Sequence, residues 1–160
     1  MMKKIGLIVD STFGLEKDYV KEKDIKVASL KVLIEDKEYI DGVVDPEIVV
    51  HALENRKQVK TSQPTPEQFI SAIEEQLKTY EDVIVMTLSK TLSGTFNSAN
   101  LAKTILENPH VYVVDTGSTI NGSAYLVERV IGYIEEDHSI EETLLFLEEE
   151  KKKGSLIFTV

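Results

Sequence analysis

The chain has 160 residues, of which 42% are hydrophobic and 29% are charged, values typical of one globular domain with an adequate core. Its net charge of −10 argues against a nucleic acid or an anionic membrane surface as a partner, because their phosphates need a basic footprint. The absence of cysteine excludes a disulfide framework, a zinc–thiolate site and a cysteine nucleophile. No apolar run reaches the length of a signal-peptide core or of a membrane span, so we expect a cytoplasmic protein.

The first half of the chain predicts several strands and two well-marked helix starts. An apolar run over residues 5–9 predicts a buried parallel strand that ends at Asp10. Further β structure is expected over residues 25–30, 31–34 and 37–40, the last two as a hairpin or an excursion from the main sheet. Asp45 before Pro46, and Thr65 before Pro66, each combine an N-cap residue with proline at the first helical position.

The second half predicts an alternation of strands and helices. Strands are expected over residues 82–87, 111–115 and 156–160. Helices are expected over residues 93–106, from Gly122 or Ser123 to Ile134, and from Ile140 to about Gly154. This alternation predicts a three-layer α/β/α fold with a mostly parallel sheet, in which ligands bind outside the carboxyl ends of the strands. Asp10 and residues 87–93 and 115–118 should therefore meet along one edge.

Two segments rich in hydroxyl groups stand at the starts of predicted helices, at residues 61–67 and 87–99. Unpaired N–H groups and the dipole at a helix start favour an anion, so these turns predict a bound carboxylate or phosphate. Within them, Ser93 with Gly94 and Thr61 with Ser62 are the strongest candidates. The competing interpretation is local: Ser93 serves only as an N-cap, and residues 61–65 form only a stiff loop whose Thr65 caps the next helix.

Asp10 is open to two interpretations. An aspartate at the end of the first strand is the position of the nucleophile in phosphatases of the haloacid dehalogenase type, but those enzymes need a second acid where this chain has Thr12. We favour a structural role, in which Asp10 caps a turn through the N–H of Thr12 or Phe13. No dinucleotide, Walker or serine-hydrolase motif occurs, and we expect no catalytic residue, no metal ion and no cofactor.

Three segments resemble the signatures of the DegV family: residues 10–12, residues 61–64 and residues 92–99, and the resemblance extends over residues 2–160. It implies a protein that holds one long-chain fatty acid, in several members as the binding subunit of a bacterial fatty acid kinase. It further implies that Ser93 and Thr61 contact the acyl carboxylate. The ligand-binding residues that it suggests are Ser93, Thr61, Ser62, Gly94, Thr95, Ser11 and Thr12.

The chain departs from the family in two respects. Members continue into a second, lipid-covering domain, which we expect to be absent from residues 1–160, and the family's histidine and arginine near the carboxylate lie there. His51, His110 and His138 are therefore not their equivalents. Gly122-Ser123 stands where the family usually has Gly-Gln, which leaves ligand contact from this loop open.

Several apolar residues of the predicted helices are candidate walls of an acyl tunnel, although plain core packing would explain them equally well. They are Ile70, Ile73, Phe96 and Ala99.

The sequence leaves two alternatives to fatty acid binding by this chain. The same anion-binding turns would suit an enzyme that processes small phosphorylated molecules. Alternatively, this chain alone does not retain a ligand, because part of the lipid cavity is missing.

Overall fold

A computed structural model describes residues 3–118 and 120–158. The main sheet has four parallel strands in the order β2-β1-β6-β7 and a small antiparallel sheet has the order β4-β3-β5. The main-sheet strands are β1 (Lys3–Asp10), β2 (Lys26–Ala28), β6 (Tyr80–Thr87) and β7 (Val111–Asp115). The small-sheet strands are β3 (Lys31–Ile34), β4 (Lys37–Ile40) and β5 (Val59–Ser62). The helices are α1 (Lys17–Glu22), α2 (Pro46–Glu54), α3 (Pro66–Leu77), α4 (Thr95–Leu106), α5 (Ile120–Glu135) and α6 (Ile140–Phe158).

Helices cover both faces of the main sheet, as the alternating pattern predicts. Leu7 and Val9 of β1 pack with α5 and α6, whereas Ile8 between them packs with α3 and α4. The same alternation places Ile84 on the first face and Val85 on the second. Because both faces are buried, the strands read as continuous apolar runs. The predicted three-layer fold with a mostly parallel sheet is confirmed.

The predicted excursion from the main sheet is the small antiparallel sheet. Ser11, in a short 3-10 turn at Ser11–Phe13 directly after β1, holds the two sheets together. Its hydroxyl accepts a hydrogen bond from the Leu30 N–H at 2.9 Å and donates one to an Asp41 carboxylate oxygen at 2.7 Å. Leu30 stands immediately before β3 and Asp41 immediately after β4, so a single side chain fixes where the hairpin leaves the main sheet.

Two predicted helix starts are confirmed. The Asp45 side chain accepts from the Glu47 N–H at 3.0 Å and thereby caps α2. Thr65 and Gln68 form a reciprocal capping box at the start of α3. Both signals are local in sequence, which explains why they could be predicted without tertiary information.

Three other boundaries were predicted wrongly. The helix expected from Ser93 begins at Thr95 with Gly94 as its N-cap, and α5 begins at Ile120 rather than at Gly122 or Ser123. The strand predicted over residues 156–160 is helical through Phe158, and residues 159–160 lie outside the described part of the chain. A glycine inside a helix costs only about 1 kcal/mol, so Gly154 does not end α6. Short apolar runs also do not distinguish strand from helix.

Among the described residues, no helix combines the length and the apolar character that a bilayer crossing requires.

Gly6 in β1 tests the packing of the main sheet. A Cβ atom on Gly6 would lie 2.6 Å from Cδ2 of the buried Tyr80 ring, so we expect Gly6→Ala to lower the free energy of unfolding by about 1–3 kcal/mol. The matched control is Gly132→Ala on α5, where a Cβ would meet no atom within 4 Å. That variant should be neutral or up to about 1 kcal/mol more stable. Urea denaturation measures both, and equal stability of the two variants would contradict the packing argument.

Candidate functional site

The turn between β6 and α4 carries a pair of hydroxyl groups at its end. The Oγ of Ser93 and the Oγ1 of Thr95 lie 2.9 Å apart, and the Thr95 N–H also points to the Ser93 Oγ at 3.3 Å. A pair of hydroxyls has two protons, and the bond between them uses one. The other proton is free to be donated to a ligand oxygen, and Ser93 is only half-buried.

The start of α4 adds backbone donors to this pair. The first intrahelical bond runs from the Ser98 N–H to the Gly94 carbonyl at 3.0 Å, so the N–H groups of Phe96 and Asn97 have no acceptor within the helix. Gly94 is the N-cap and has no side chain to cover them. Free N–H groups, the positive end of the helix dipole and a hydroxyl proton thus occupy the same turn, a combination suited to an anion.

The second hydroxyl-rich turn lies against the first. Gln63 follows β5 directly, and its side chain is so close to Gly94 that a Cβ there would lie 3.0 Å from Gln63 Nε2. Thr61 is exposed and Ser62 half-buried at the end of β5, two and one residues before this contact. The structure therefore brings the turns together through Gln63 and Gly94. No local pattern predicts this role for Gln63, because the contact spans 31 positions.

Asp10 is a buried structural carboxylate at the end of β1. It accepts hydrogen bonds from the Thr12 N–H at 2.8 Å, from the Thr12 hydroxyl and from the Leu88 N–H at 2.8 Å. Burial raises the pKa of the Asp10 carboxyl above its ordinary value, although these hydrogen bonds oppose the shift. The favoured interpretation, a turn cap through Thr12, is confirmed. The bond to Leu88 additionally ties β1 to the turn that carries Ser93.

Ser11 and Thr12 use their hydroxyl protons within the protein. Ser11 donates to Asp41, and Thr12 donates to Asp10. Each hydroxyl has one proton, so neither can donate to a carboxylate ligand without losing that bond. Their predicted contact with a ligand stays a prediction, in which they would act through lone pairs or methyl contacts.

The loop after β7 completes the edge that the strand order predicts. The Asp115 Oδ1 accepts from the Lys90 N–H at 3.1 Å, and the Ser89 N–H donates to the Ser118 carbonyl at 3.1 Å. The Thr116 hydroxyl donates to the Thr87 carbonyl at 2.8 Å. Asp10, residues 87–93 and residues 115–118 are thus linked by hydrogen bonds at the carboxyl ends of β1, β6 and β7, which confirms their predicted convergence.

Thr87, the last residue of β6, was not singled out in the sequence. It is fully buried, and its hydroxyl has no hydrogen-bond partner in the described part of the chain. By strand alternation with Val83 and Val85 it lies on the face that α3 and α4 cover. An unsatisfied buried hydroxyl costs about 1–3 kcal/mol, which marks the region beneath the start of α4 as one not optimised for stability alone.

A cavity of ≈ 250 Å³ adjoins Asp10 on the side of the 3-10 turn. It is mainly apolar, and its lining residues include Phe13, Leu15, Val20, Val27 and Val43. Two of the candidate tunnel walls do not line this cavity. Ile73 and Ala99 are completely buried in the core against the main sheet. For these two residues core packing is sufficient explanation.

The three histidines do not belong to this edge. His110 lies at the start of β7 and its Nδ1 is 2.9 Å from Asp82, at the opposite end of the parallel strands. His138 stacks on Tyr133, and His51 is exposed on α2. Within the described residues, no group of three or more histidine, aspartate or glutamate side chains could hold a metal ion.

Sequence comparison identifies relatives along most of the chain. The sequence profile of the DegV family, which describes its members as uncharacterised proteins, matches residues 4–160. A DegV domain-containing protein of Staphylococcus aureus (strain MRSA252) is 37% identical over 142 residues, covering 88% of this chain and 50% of that protein. The chain thus spans about half the length of the curated relatives it matches.

Solved structures show the same fold. A DegV family protein from Thermus thermophilus, described by its fatty acid binding, matches with a TM-score of 0.88 and 31% identity, over 93% of this chain and 54% of that one. A fatty acid kinase B3 protein from Streptococcus pneumoniae, loaded with linoleic acid, has a TM-score of 0.79 over 93% of this chain and 54% of its own. At 22% identity, the second similarity concerns the fold alone.

The Asp10 network is testable by a change of one atom. Asp10→Asn places an amide NH₂ against either the Leu88 or the Thr12 N–H, and we expect a loss of about 1–3 kcal/mol in unfolding free energy. The matched control is Asp115→Asn. The Oδ1 of Asp115 accepts from the N–H groups of both Lys90 and Gly117, and the amide oxygen of asparagine can accept both bonds in the same way. Denaturant titration of both variants at one pH measures the difference; equal losses would refute the role assigned to Asp10.

A comparison of the wild type with Asp10→Asn at several pH values tests the raised pKa of the Asp10 carboxyl. At pH values between the pKa of this carboxyl in the unfolded state and its raised pKa in the folded state, the native protein binds more protons than the unfolded chain. The free energy of unfolding therefore falls as the pH rises through that window. The stability advantage of the wild type over Asp10→Asn should therefore be largest at acidic pH and narrow towards neutrality. Denaturation across pH 4 to 7 checks this sign, and an advantage that grows with pH would contradict it.

Proposed function

The chain belongs to the DegV family, and from that premise we propose that it binds a long-chain fatty acid and presents the acyl carboxylate to a partner fatty acid kinase. One observation carries the proposal: the free hydroxyl proton of the Ser93–Thr95 pair, the open N–H groups of α4 and the neighbouring end of β5 lie at one edge of the sheet. The fatty acid binding described for the Thermus thermophilus relative supports it.

In the proposed complex the carboxylate lies at the start of α4. Ser93 donates its hydroxyl proton, Gly94 allows close approach of the backbone, and Thr95 orients the Ser93 hydroxyl. Thr61 and Ser62 approach from the end of β5 because Gln63 seats that turn against Gly94. Ser11 and Thr12 contribute less to binding of the carboxylate, since their hydroxyl protons are already donated to Asp41 and Asp10.

The apolar tail and the head group have different tasks. Burying a chain of about 14 methylenes contributes roughly 11 kcal/mol before ordering costs, whereas one hydrogen bond to a carboxylate contributes about 1.5–3 kcal/mol. The tail therefore sets affinity, and Ser93 with Thr61 sets which end faces outwards. The cavity of ≈ 250 Å³ is below the roughly 300–1,000 Å³ of ligand pockets. We accordingly propose that a second, lipid-covering domain of the kind implied by the family completes the tunnel.

In this proposal the protein has no catalytic group of its own. The carboxylate remains at the protein surface, where the partner kinase transfers a phosphoryl group to it. Such a kinase needs a nucleoside triphosphate, so we place the protein in the cytoplasm. Asp10 takes no part in the chemistry, because its carboxylate is buried and engaged by three hydrogen bonds.

Native mass spectrometry of the purified chain, followed by solvent extraction and lipid analysis, is the direct measurement. We expect a fatty acid at near unit stoichiometry. If no lipid co-purifies, titration with palmitate decides whether the chain binds it at all. Absence of binding there would reject the proposal for these 160 residues. The same titration on the full-length Staphylococcus aureus relative, of which this chain covers 50%, would show whether the remaining half is required.

Ser93→Ala tests the position of the head group. Loss of the hydroxyl should weaken palmitate binding by about 1.5–3 kcal/mol, roughly ten- to a hundredfold, with the fold retained. Ser71→Ala is the control, because Ser71 is an exposed serine on α3 away from the turn. Circular dichroism verifies the fold of both, and palmitate affinity is measured by displacement of a fluorescent fatty acid. Unchanged affinity in Ser93→Ala would place the carboxylate elsewhere.

A further inference from the structure

Lys90 is the cationic residue nearest in sequence to Ser93 and Gly94, and the cavity beside Asp10 has a further one, Lys17, in its lining. Residues 9–15, 61–67, 87–99 and 115–118 contain no lysine or arginine other than Lys90 and no histidine. The same segments contribute two buried or half-buried carboxylates, Asp10 and Asp115. The negative charges of Asp10 and Asp115 would repel an anionic ligand at this edge, and the charge of Lys90 opposes that repulsion.

The Lys90 side chain is held at the start of α4. Lys90 lies within the turn that the Leu92 N–H closes on the Ser89 carbonyl at 3.0 Å. Its ammonium lies over the Phe96 ring, with Nζ 5.9 Å from the ring centroid. A helical side chain leans towards the N-terminus of its helix, so the Phe96 ring covers the turn before it, which is the turn of Ser93 and Gly94.

This placement is electrostatically unfavourable without an anion. A cation near a helix N-terminus opposes the helix dipole. No carboxylate of the described residues lies within 4.0 Å of the Lys90 ammonium, although the Asp115 carboxylate is close enough to bond the Lys90 N–H. The ammonium, the open N–H groups of α4 and the free hydroxyl proton therefore lie close together at the start of α4, where each of them favours an anion.

Lys103, which lies on α4, provides an internal comparison for Lys90 in the turn before this helix. Its Nζ lies 5.8 Å from the centroid of the Tyr112 ring, nearly the same cation–π geometry. Lys103, however, is in the last turn of α4, where the dipole favours a cation. The two lysines thus share a local contact and differ in the sign of their interaction with the helix.

We infer that Lys90 is a specificity-determining residue, whose ammonium selects a negatively charged acyl head group over a neutral one at the Ser93 turn. The inference rests on the proposed function. Lys90 acts on the head group only, so it contributes to discrimination between a fatty acid and the corresponding alcohol and leaves binding of the tail unaffected. The unfavourable position of the charge in the free protein is relieved when the carboxylate binds.

The test compares the binding of palmitate with that of 1-hexadecanol, both delivered from cyclodextrin. Binding is measured by displacement of a fluorescent fatty acid, and the affinity of each variant for this probe is determined separately. Lys90→Gln should weaken palmitate binding roughly two- to tenfold and leave hexadecanol binding unchanged. Lys90→Arg should retain the preference for palmitate. Lys103→Gln, the matched control, should bind both ligands like the wild type.

Thermal unfolding of the ligand-free proteins supplies a second readout. Lys90→Gln should melt at the wild-type temperature or slightly above it, whereas Lys103→Gln should melt slightly below. A loss of stability in Lys90→Gln larger than that in Lys103→Gln would indicate a purely structural contact with Phe96 and overturn the inference. Equal palmitate affinity in Lys90→Gln and wild type, or parallel losses for acid and alcohol, would do so as well. If the wild type binds neither ligand, the proposed function itself fails.

Discussion

The end of the first strand is the constraint on which the rest of the structure depends. Asp10 closes the 3-10 turn and holds the Leu88 N–H, while its neighbour Ser11 joins Leu30 to Asp41. Two consecutive side chains thus fix the β6–α4 turn to the parallel sheet and fix the small sheet to both. Without these bonds the β6–α4 turn would keep its bonds to the loop after β7 and its contact with Gln63, but it would lose its direct tie to the end of β1, and so would the hairpin.

The candidate site combines opposite electrostatic tendencies. Buried carboxylates stabilise the loops by accepting backbone N–H groups, and the same carboxylates make the edge less suited to an anion. The start of α4 reverses this balance locally, through N–H groups that no helical carbonyl satisfies and through the cation at Lys90. The site is therefore polar and directional, and it is better suited to orient a head group than to supply the affinity for a long apolar ligand.

Three features that oppose stability lie together at the carboxyl end of β6. The Thr87 hydroxyl has no partner in the described residues, the N-cap of α4 has no capping side chain, and the Lys90 ammonium lies at the unfavourable end of a dipole. Each of these features costs stability, and a protein selected for stability alone would remove them by single substitutions. Their concentration at the carboxyl end of β6 agrees with the general position of ligands in parallel sheets.

The sequence by itself determined what depends on neighbouring residues: the caps at Asp45 and Thr65, the buried parallel strands, and the hydroxyl-rich turns at their carboxyl ends. It also contained the motifs that identify the family. Only the tertiary structure decided where α4 begins, which hydroxyl protons are already donated, and that Gln63 seats one turn on the other. The physical reason is range. Capping and strand alternation act over a few residues, whereas the bonds of Ser11 to Asp41 and of Asp10 to Leu88 join positions 30 and 78 residues apart, which no local pattern encodes.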